Sequence, residues 1–359
     1  MPTIRTLTVE TLTARLPRPW AEDVLENHFI AVRVETDDGQ VGRGFTWTPT
    51  IGSAAVAALL DTDIRRFVVG RRADPEAIWD PLWRNLHEAG SGGLTTIAMA
   101  GVDLALWDLV ACAENRSVPE RVGVRRHDVH VYGSGINRHL PLPDLLEQID
   151  RWVIAGHRAV KIKVGGRPLA EDVSRVSAVR ERLGADRDLM LDANQLWSLD
   201  EAVDAAEAFA PFNIRWLEEP LRADDLVSYR LLAEKSAIPL AAGENIHTQF
   251  RFREFLDAGV LGFAQPNVIR VGGITPFLRI AADAAERGVP VFPHLLPELS
   301  GQLAACLPVA TAIEDVEDSS LSSLHVLAAE SPVLVDQRGA HLHDTQPGLG
   351  LLLRTENHK

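Results

Sequence analysis

Apolar and polar positions alternate with a period of two through residues 3–12, and again through HFIAVRVET (28–36) and QVGRGFTW (40–47), with Asp37-Asp38-Gly39 as a turn signal between the last two runs. The pattern predicts an antiparallel meander closed by a hairpin. Residues 14–27 contain two prolines and Trp20 and show no apolar period, so they read as a loop of lid-like length. The period then lengthens to that of a helix over residues 51–70, 75–89 and 94–113, the last with Ile97, Ala100, Leu104 and Trp107 on one stripe. An α+β capping domain over residues 1–125 is the expectation.

From residue 128 short apolar runs alternate with helical patterns, the grammar of βαβ units and a parallel sheet. The runs are VYGSG (131–135), VKIKVG (160–165), LMLDAN (189–194), RWLEEP (215–220), IPLAAGEN (238–245), LGFAQPN (261–267), VPVFPH (289–294) and ATAIED (310–315). From the second run onward their polar end-residues recur every 20 to 29 residues, a beat that suits a closed (β/α) barrel over 126–320 better than an open sheet. Beyond it, VLVDQRGAHLH (333–343) reads as a further hairpin, and residues 321–359 are expected to pack back on the capping domain.

Composition narrows the class. The 359 residues are 46% hydrophobic with a mean hydropathy of −0.01, and no uninterrupted apolar run approaches the roughly 18 residues of a membrane span. MPTIRTLTVE has no basic stretch followed by an apolar one, and the two cysteines, Cys112 and Cys306, form no metal-finger spacing; both features fit a reducing cytoplasm. A formal net charge of −14 argues against nucleic acid and anionic membranes as partners and leaves a small molecule.

The C-terminal ends of barrel strands build active sites, and here they are crowded with ionisable groups. Lys161 and Lys163 are two apart and share one face of their strand. Asp192, Glu218 and Glu244 end the next three runs and would repel one another around one rim without a cation. Oxygen ligands without His or Cys select a hard ion, Mg2+ before Mn2+ or Ca2+.

KIK (161–163), LDANQ (191–195), WLEEP (216–220), AGEN (242–245), QPNVIRVGG (265–273), PH (293–294) and IE (313–314) together resemble the enolase superfamily, most closely its mandelate racemase subgroup. The resemblance spans nearly the whole barrel, and residues 14–27 resemble that family's specificity loop. It implies a modified TIM barrel, Mg2+ at Asp192, Glu218 and Glu244, and abstraction of the proton α to a carboxylate. It makes Lys163 the base and Lys161 a neutralising partner near the metal and the substrate carboxylate, and beside a dication each ammonium is expected to lower the other's pKa. It makes Glu314 a donor to the enediolate and His294 a second acid/base on the opposite face. Asn194 is expected to contact substrate or brace the metal site. Arg18 and Trp20 in the loop and Trp47 after the hairpin are substrate-binding candidates, and a homo-oligomer is implied.

One departure bears on the reaction. The family pairs that histidine with an aspartate, and this chain has Asn267, which either accepts from the imidazole without supplying charge or donates to it and selects the other tautomer. A weakened second base argues against racemisation and for dehydration of an acid sugar, an aldonate or aldarate, to a 2-keto-3-deoxy acid; the string VKIKVG…DANQLW…WLEEP…QPNVIRVGGITPFLRI is also similar to dehydratases of such acids. A racemase, epimerase or cycloisomerase is the alternative, and a non-catalytic sugar-acid binding protein the third reading.

Overall fold

A computed structural model gives the structure of the protein and describes residues 1–20, 23–343 and 346–354. The capping domain opens with the antiparallel meander β1 (Ile4–Arg15), β2 (Glu26–Thr36) and β3 (Val41–Thr48). β1 and β2 run further than expected, because Ala14 pairs with Asn27 and Arg15 with Glu26. The alternation persists there, with Ala14 and Asn27 buried and Arg15 and Glu26 exposed, so the ladder continues and the loop shrinks to residues 16–25. Ala21 and Glu22 of the expected lid lie outside the described residues.

The expected helix over 51–70 divides into Ser53–Leu59, a π-helical turn Leu60–Ile64, and Arg65–Val68, followed by helices Pro75–Leu86 and Leu94–Ala113. The last is long and apolar enough to meet a membrane-span test by length and composition, which the sequence reading did not anticipate. Its residues from Ala98 through Ala111 are all buried, so its all-round apolarity is that of a central core helix. Asp103 and Asp108 within it are tethered: Asp103 accepts from Thr275 N at 2.9 Å and Thr275 Oγ1 at 2.6 Å, and Asp108 accepts from Arg43 N and Leu349 N, each at 2.8 Å.

The second part is a modified (β/α) barrel. Parallel strands β4 (Asp128–Ser134), β5 (Ala159–Lys163), β6 (Asp188–Asp192), β7 (Ile214–Glu218), β8 (Leu240–Ala242) and β9 (Phe263–Ala264) lie side by side, and β10 (Ala312–Val316) pairs with β4 to close the ring. The seventh position, expected as a strand, is a bridge at Val291, which pairs with Ala264 and donates to Ala310 O at 3.1 Å. Pro290 and Pro293 flank it and have no N–H for a ladder. The terminal hairpin forms as β11 (Val333–Asp336) and β12 (Gly339–Leu342), and β12 adds antiparallel to β4 of the barrel. Residues beyond it reach the capping domain: Val118 N donates to Gly348 O and Gly348 N to Arg116 O, both at 2.9 Å.

The period of two places the site. Tyr132, Met190, Trp216, Phe292 and Ala312 form one apolar cluster inside the ring. Two residues further along the same segments stand Ser134, Asp192, Glu218, His294 and Glu314. An apolar floor therefore lies under a polar layer at the C-terminal ends of the strands. The capping domain docks at the turn after β9. Trp79 Nε1 donates to Gly272 O at 2.9 Å, and Gly273 sits at φ 113° where a Cβ would stand 2.4 Å from Asp103 Oδ2. That close approach explains the second glycine of VGG.

Candidate active site

Asp192, Glu218 and Glu244 come together in the polar layer, each buried, with one ligand oxygen from each within 4.8 Å of the others. The chain turns sharply beyond the first two, with Asn194 at φ 45° and Glu219 at φ 36°. Lys161 Nζ lies 2.5 Å from Glu218 Oε1, 2.7 Å from Glu314 Oε1 and 3.5 Å from Asp192 Oδ2. Lys163 Nζ lies 2.5 Å from Asp192 Oδ2. On the other side, His294 Nε2 is 2.7 Å from Glu244 Oε2 and 3.8 Å from Glu314 Oε2.

The site is over-supplied with negative charge. Burial pushes Glu218 up to about 8 despite Lys161, and pushes Glu219, behind it, well above the usual carboxylate range. Burial also opposes the ionised forms of Glu244 and Glu314, but the His294 Nε2 hydrogen bond and the lysine charges hold Glu244 well below the usual carboxylate range, and Lys161, aided by Lys163, holds Glu314 down to about 2. The expected mutual lowering of the lysines does not prevail in the protein alone. Burial pulls both ammonium groups down, yet Glu218 and Glu314 raise Lys161 well above its ordinary value, and Asp192 raises Lys163 against both burial and Lys161. Buried Glu219 Oε1 accepts no hydrogen bond, and Glu244 Oε2 has only His294 Nε2 beside it. An all-oxygen donor set with surplus charge and orphaned lone pairs fits a hard dication.

The network around Asn267 resolves the choice left open by the sequence. Its Oδ1 accepts from Ile269 N at 3.0 Å and Arg270 N at 3.1 Å. The oxygen is thereby committed to the backbone, and Nδ2 faces His294 Nδ1 at 3.0 Å and His294 O at 3.4 Å. An amide NH2 only donates, so His294 Nδ1 accepts and the ring proton of the neutral imidazole resides on Nε2, an assignment made from the network. Protonating Nδ1 would set two donors against each other.

Several partners escaped the sequence reading. Asn245 Nδ2 bridges Glu219 Oε2 at 2.7 Å and Glu244 Oε1 at 3.1 Å, while its Oδ1 accepts from Arg270. Gln265 Nε2 and Trp216 Nε1 donate to Glu218 Oε2 at 2.7 and 3.0 Å. Glu219 and Asn245 directly follow ligands in the sequence, so adjacency was an available signal for them; Gln265 lies inside a motif segment but next to no ligand. Asn194 donates its backbone N–H to Asp192 Oδ1 at 2.9 Å and its amide to Asp192 Oδ2 at 3.3 Å, and accepts from Arg138 at 2.8 Å. Nothing in the pattern marked Arg138.

A cavity of about 1360 Å³ opens over Lys163 and Asn194, with Arg18 and Trp20 among its lining residues. Arg18 is ion-paired with Glu317 at 3.0 Å and Asp318 at 2.8 Å, and Trp20 Nε1 donates to Ser319 Oγ at 3.2 Å. Both contacts tie the loop to the segment after β10. Trp47 departs from expectation: it is buried in the core beneath Trp20, ring centroids 6.1 Å apart and edge-on, and does not line the cavity. Its position on β3 turns its ring inward, so its contribution is to support Trp20.

This is the architecture of an enolase-superfamily enzyme, and the comparisons agree. Residues 4–123 match the mandelate racemase/muconate lactonizing enzyme N-terminal domain, and residues 144–357 match the enolase C-terminal domain-like family. The chain belongs to the mandelate racemase subgroup of the enolase superfamily. It is 39% identical to a 3,6-anhydro-alpha-L-galactonate cycloisomerase from Streptomyces coelicolor, covering 93% of this chain and 91% of that one. It is 35% identical to the L-talarate/galactarate dehydratase of Salmonella typhimurium over 80% of this chain and 73% of the relative. The crystal structure of L-talarate dehydratase from Polaromonas sp. JS666, complexed with Mg and L-glucarate, superposes with a TM-score of 0.87 at 32% identity, covering 99% and 96% of the two chains. The expected cofactor, Mg2+, stands on the buried triad together with such magnesium-bound relatives.

Proposed function

We propose that the protein removes the α-proton of an acid sugar and expels the β-oxygen, which for an open-chain aldonate or aldarate is dehydration to a 2-keto-3-deoxy acid. The observation that carries this reading is the asymmetry of the site: two lysines on one face, and opposite them a histidine whose Nδ1 faces an amide donor. Racemisation needs a competent base on each face; β-elimination needs one.

Asp192, Glu218 and Glu244 would hold Mg2+, which when bound supplies positive charge to the substrate carboxylate and lowers the barrier to ionising its α-carbon. Lys163 takes the α-proton. Lys161, tied to Glu218 and Glu314, holds a fixed positive charge beside the developing negative charge. Glu314 is held in place by Leu295 N at 3.2 Å. The proton gained by Lys163 is then available to a leaving oxygen on the same face, which makes the elimination syn, and His294 contributes a hydrogen bond from Nε2–H. Tautomerisation of the enol gives the 2-keto product.

A second reading takes up the 39% identity to a cycloisomerase. In a 3,6-anhydro sugar acid the β-oxygen belongs to a ring, and the same step opens the ring without losing water. One screen separates the two: aldonates, aldarates and 3,6-anhydro-galactonate with Mg2+ or EDTA, semicarbazide detection of 2-keto acids, and product masses. Dehydration lowers the mass by one water and cycloisomerisation leaves it unchanged. Turnover of no sugar acid, or turnover undiminished by EDTA, refutes both.

A further inference from the structure

The chain carries a formal net charge of −14, yet among the described residues the cavity over Lys163 is lined by Arg18, Arg138, Lys163 and Arg167 against a single carboxylate, Glu317. Such a wall concentrates anions inside an otherwise repelling molecule. Three of the four cations are already paired: Arg18 with Glu317 and Asp318, Arg167 with Glu171 at 2.6 Å, and Lys163 with Asp192. Glu317 is further offset by Arg151 and receives Gln148 Nε2, each at 2.8 Å. Arg138 forms no ion pair at contact distance among the described residues, and Asp192 and Asp172 act on it only from further away.

Its guanidinium is nonetheless fixed. Nε donates to Val164 O at 3.3 Å and Nη2 to Asn194 Oδ1 at 2.8 Å. The aliphatic stem crosses Gly166, where a Cβ would stand 2.4 Å from Arg138 Cδ, so that glycine clears its path. These contacts leave Nη1 for the cavity. A half-buried, immobilised and unpaired guanidinium is the arrangement that recognises a carboxylate by charge-assisted hydrogen bonds.

The reacting end of the substrate is set by the lysines and the carboxylate triad, and Arg138 stands one side chain away, through Asn194, which itself touches Asp192. The ends of an extended six-carbon acid are separated by five C–C bonds of about 1.5 Å, a span of roughly 6 Å. We infer that Arg138 anchors the second carboxylate of the substrate and that the substrate class is therefore the aldarates, sugar diacids, in preference to aldonates. This inference rests on the acid-sugar reading above.

The test is calorimetric. Lys163→Ala removes the base, so that sugar acids bind without reacting, and in that background with Mg2+ the pairs galactarate/galactonate and glucarate/gluconate are titrated with and without Arg138→Gln. At least one diacid is expected to bind roughly tenfold to a hundredfold tighter than its monoacid, the scale of a charge-assisted pair. Arg138→Gln should erase that preference while moving the aldonate Kd by less than about threefold. Equal losses for diacid and monoacid would mean that Arg138 acts only by positioning Asn194, and monoacids binding as tightly as diacids before the change would likewise overturn the inference. Binding of neither class, with Mg2+ binding intact, would overturn the acid-sugar reading and this inference with it.

Discussion

Replacing Asn267 with aspartate isolates the departure on which the proposed asymmetry of the site rests. The Oδ1 contacts to Ile269 N and Arg270 N survive, because a carboxylate oxygen accepts them equally. What changes is the 3.0 Å contact to His294 Nδ1, where an amide donor becomes an acceptor, and the 3.4 Å hydrogen bond to His294 O, which is lost. The ring proton moves to Nδ1, Nε2 gains a lone pair toward the site, and the imidazolium acquires a counter-charge. A neutral hydrogen bond contributes about 1 kcal/mol and a charge-assisted one about 1.5–3 kcal/mol. The gain for a protonating histidine is thus on the order of 2 kcal/mol, roughly thirtyfold in rate. The assay is deuterium incorporation at the α-carbon of paired epimeric acid sugars, followed by proton NMR in D2O with Mg2+. Wild type should exchange only the epimer that presents its proton to Lys163, and Asn267→Asp should gain exchange of the other. A folded variant that binds Mg2+ normally yet shows no gain at the histidine face would refute the tautomer argument. Asn267 is fully buried, so the variant should also lose a few kcal/mol of stability from the new buried charge, read as a lower Tm.

Other outcomes follow from the same structure. Mg2+ should raise Tm by mass action, about 2.7 kcal/mol of stabilisation at a hundred times its Kd, and Asp192→Asn or Glu218→Gln should remove the shift; an unchanged shift in both variants would place the metal elsewhere. Burial pushes Asp103 up from 3.8 to about 7 against the hydrogen bonds from Thr275. Between those values the folded protein binds a proton that the unfolded chain has released, so this residue's contribution falls as pH rises from about 4 to 7 and is flat above, at about 1.4 kcal/mol per pH unit as an upper bound. Denaturant unfolding of wild type and Asp103→Asn should diverge with that sign, and parallel pH profiles would contradict it. Trp20→Ala removes the contacts to Ser319 and Trp47 and should raise KM more than it lowers kcat; a kcat loss at constant KM would argue against a closing role for the loop.

Much of this site was legible in the sequence because the strand period and barrel closure do the placing. A strand period of two sets Met190 under Asp192 and Trp216 under Glu218, and barrel closure carries those polar ends to one mouth. What sequence missed has physical causes. Ala14 and Asn27 look like loop residues, but their alternation with Arg15 and Glu26 extends the ladder. The seventh strand was counted whole, although Pro290 and Pro293 deny it all but the Val291 bridge. Trp47, a binding candidate by its place after the hairpin, is turned into the core by the pleat. In the protein without a dication the carboxylates around Lys161 and Lys163 outweigh the repulsion between the two ammonium groups, a balance that only the folded site sets. Arg138 belongs to no motif, and its distinction, being fixed yet unpaired, exists only in three dimensions.

The central claim is that Lys163, beside a divalent-metal site, removes the α-proton of an acid sugar. The direct measurement is α-proton exchange and turnover of an acid-sugar substrate in D2O, comparing wild type with Lys163→Ala, each with Mg2+ and with EDTA. The account predicts metal-dependent turnover in wild type and a loss of roughly a hundredfold to ten-thousandfold in the variant with substrate binding retained. Exchange that persists in Lys163→Ala at the wild-type rate, or that ignores EDTA, would contradict it.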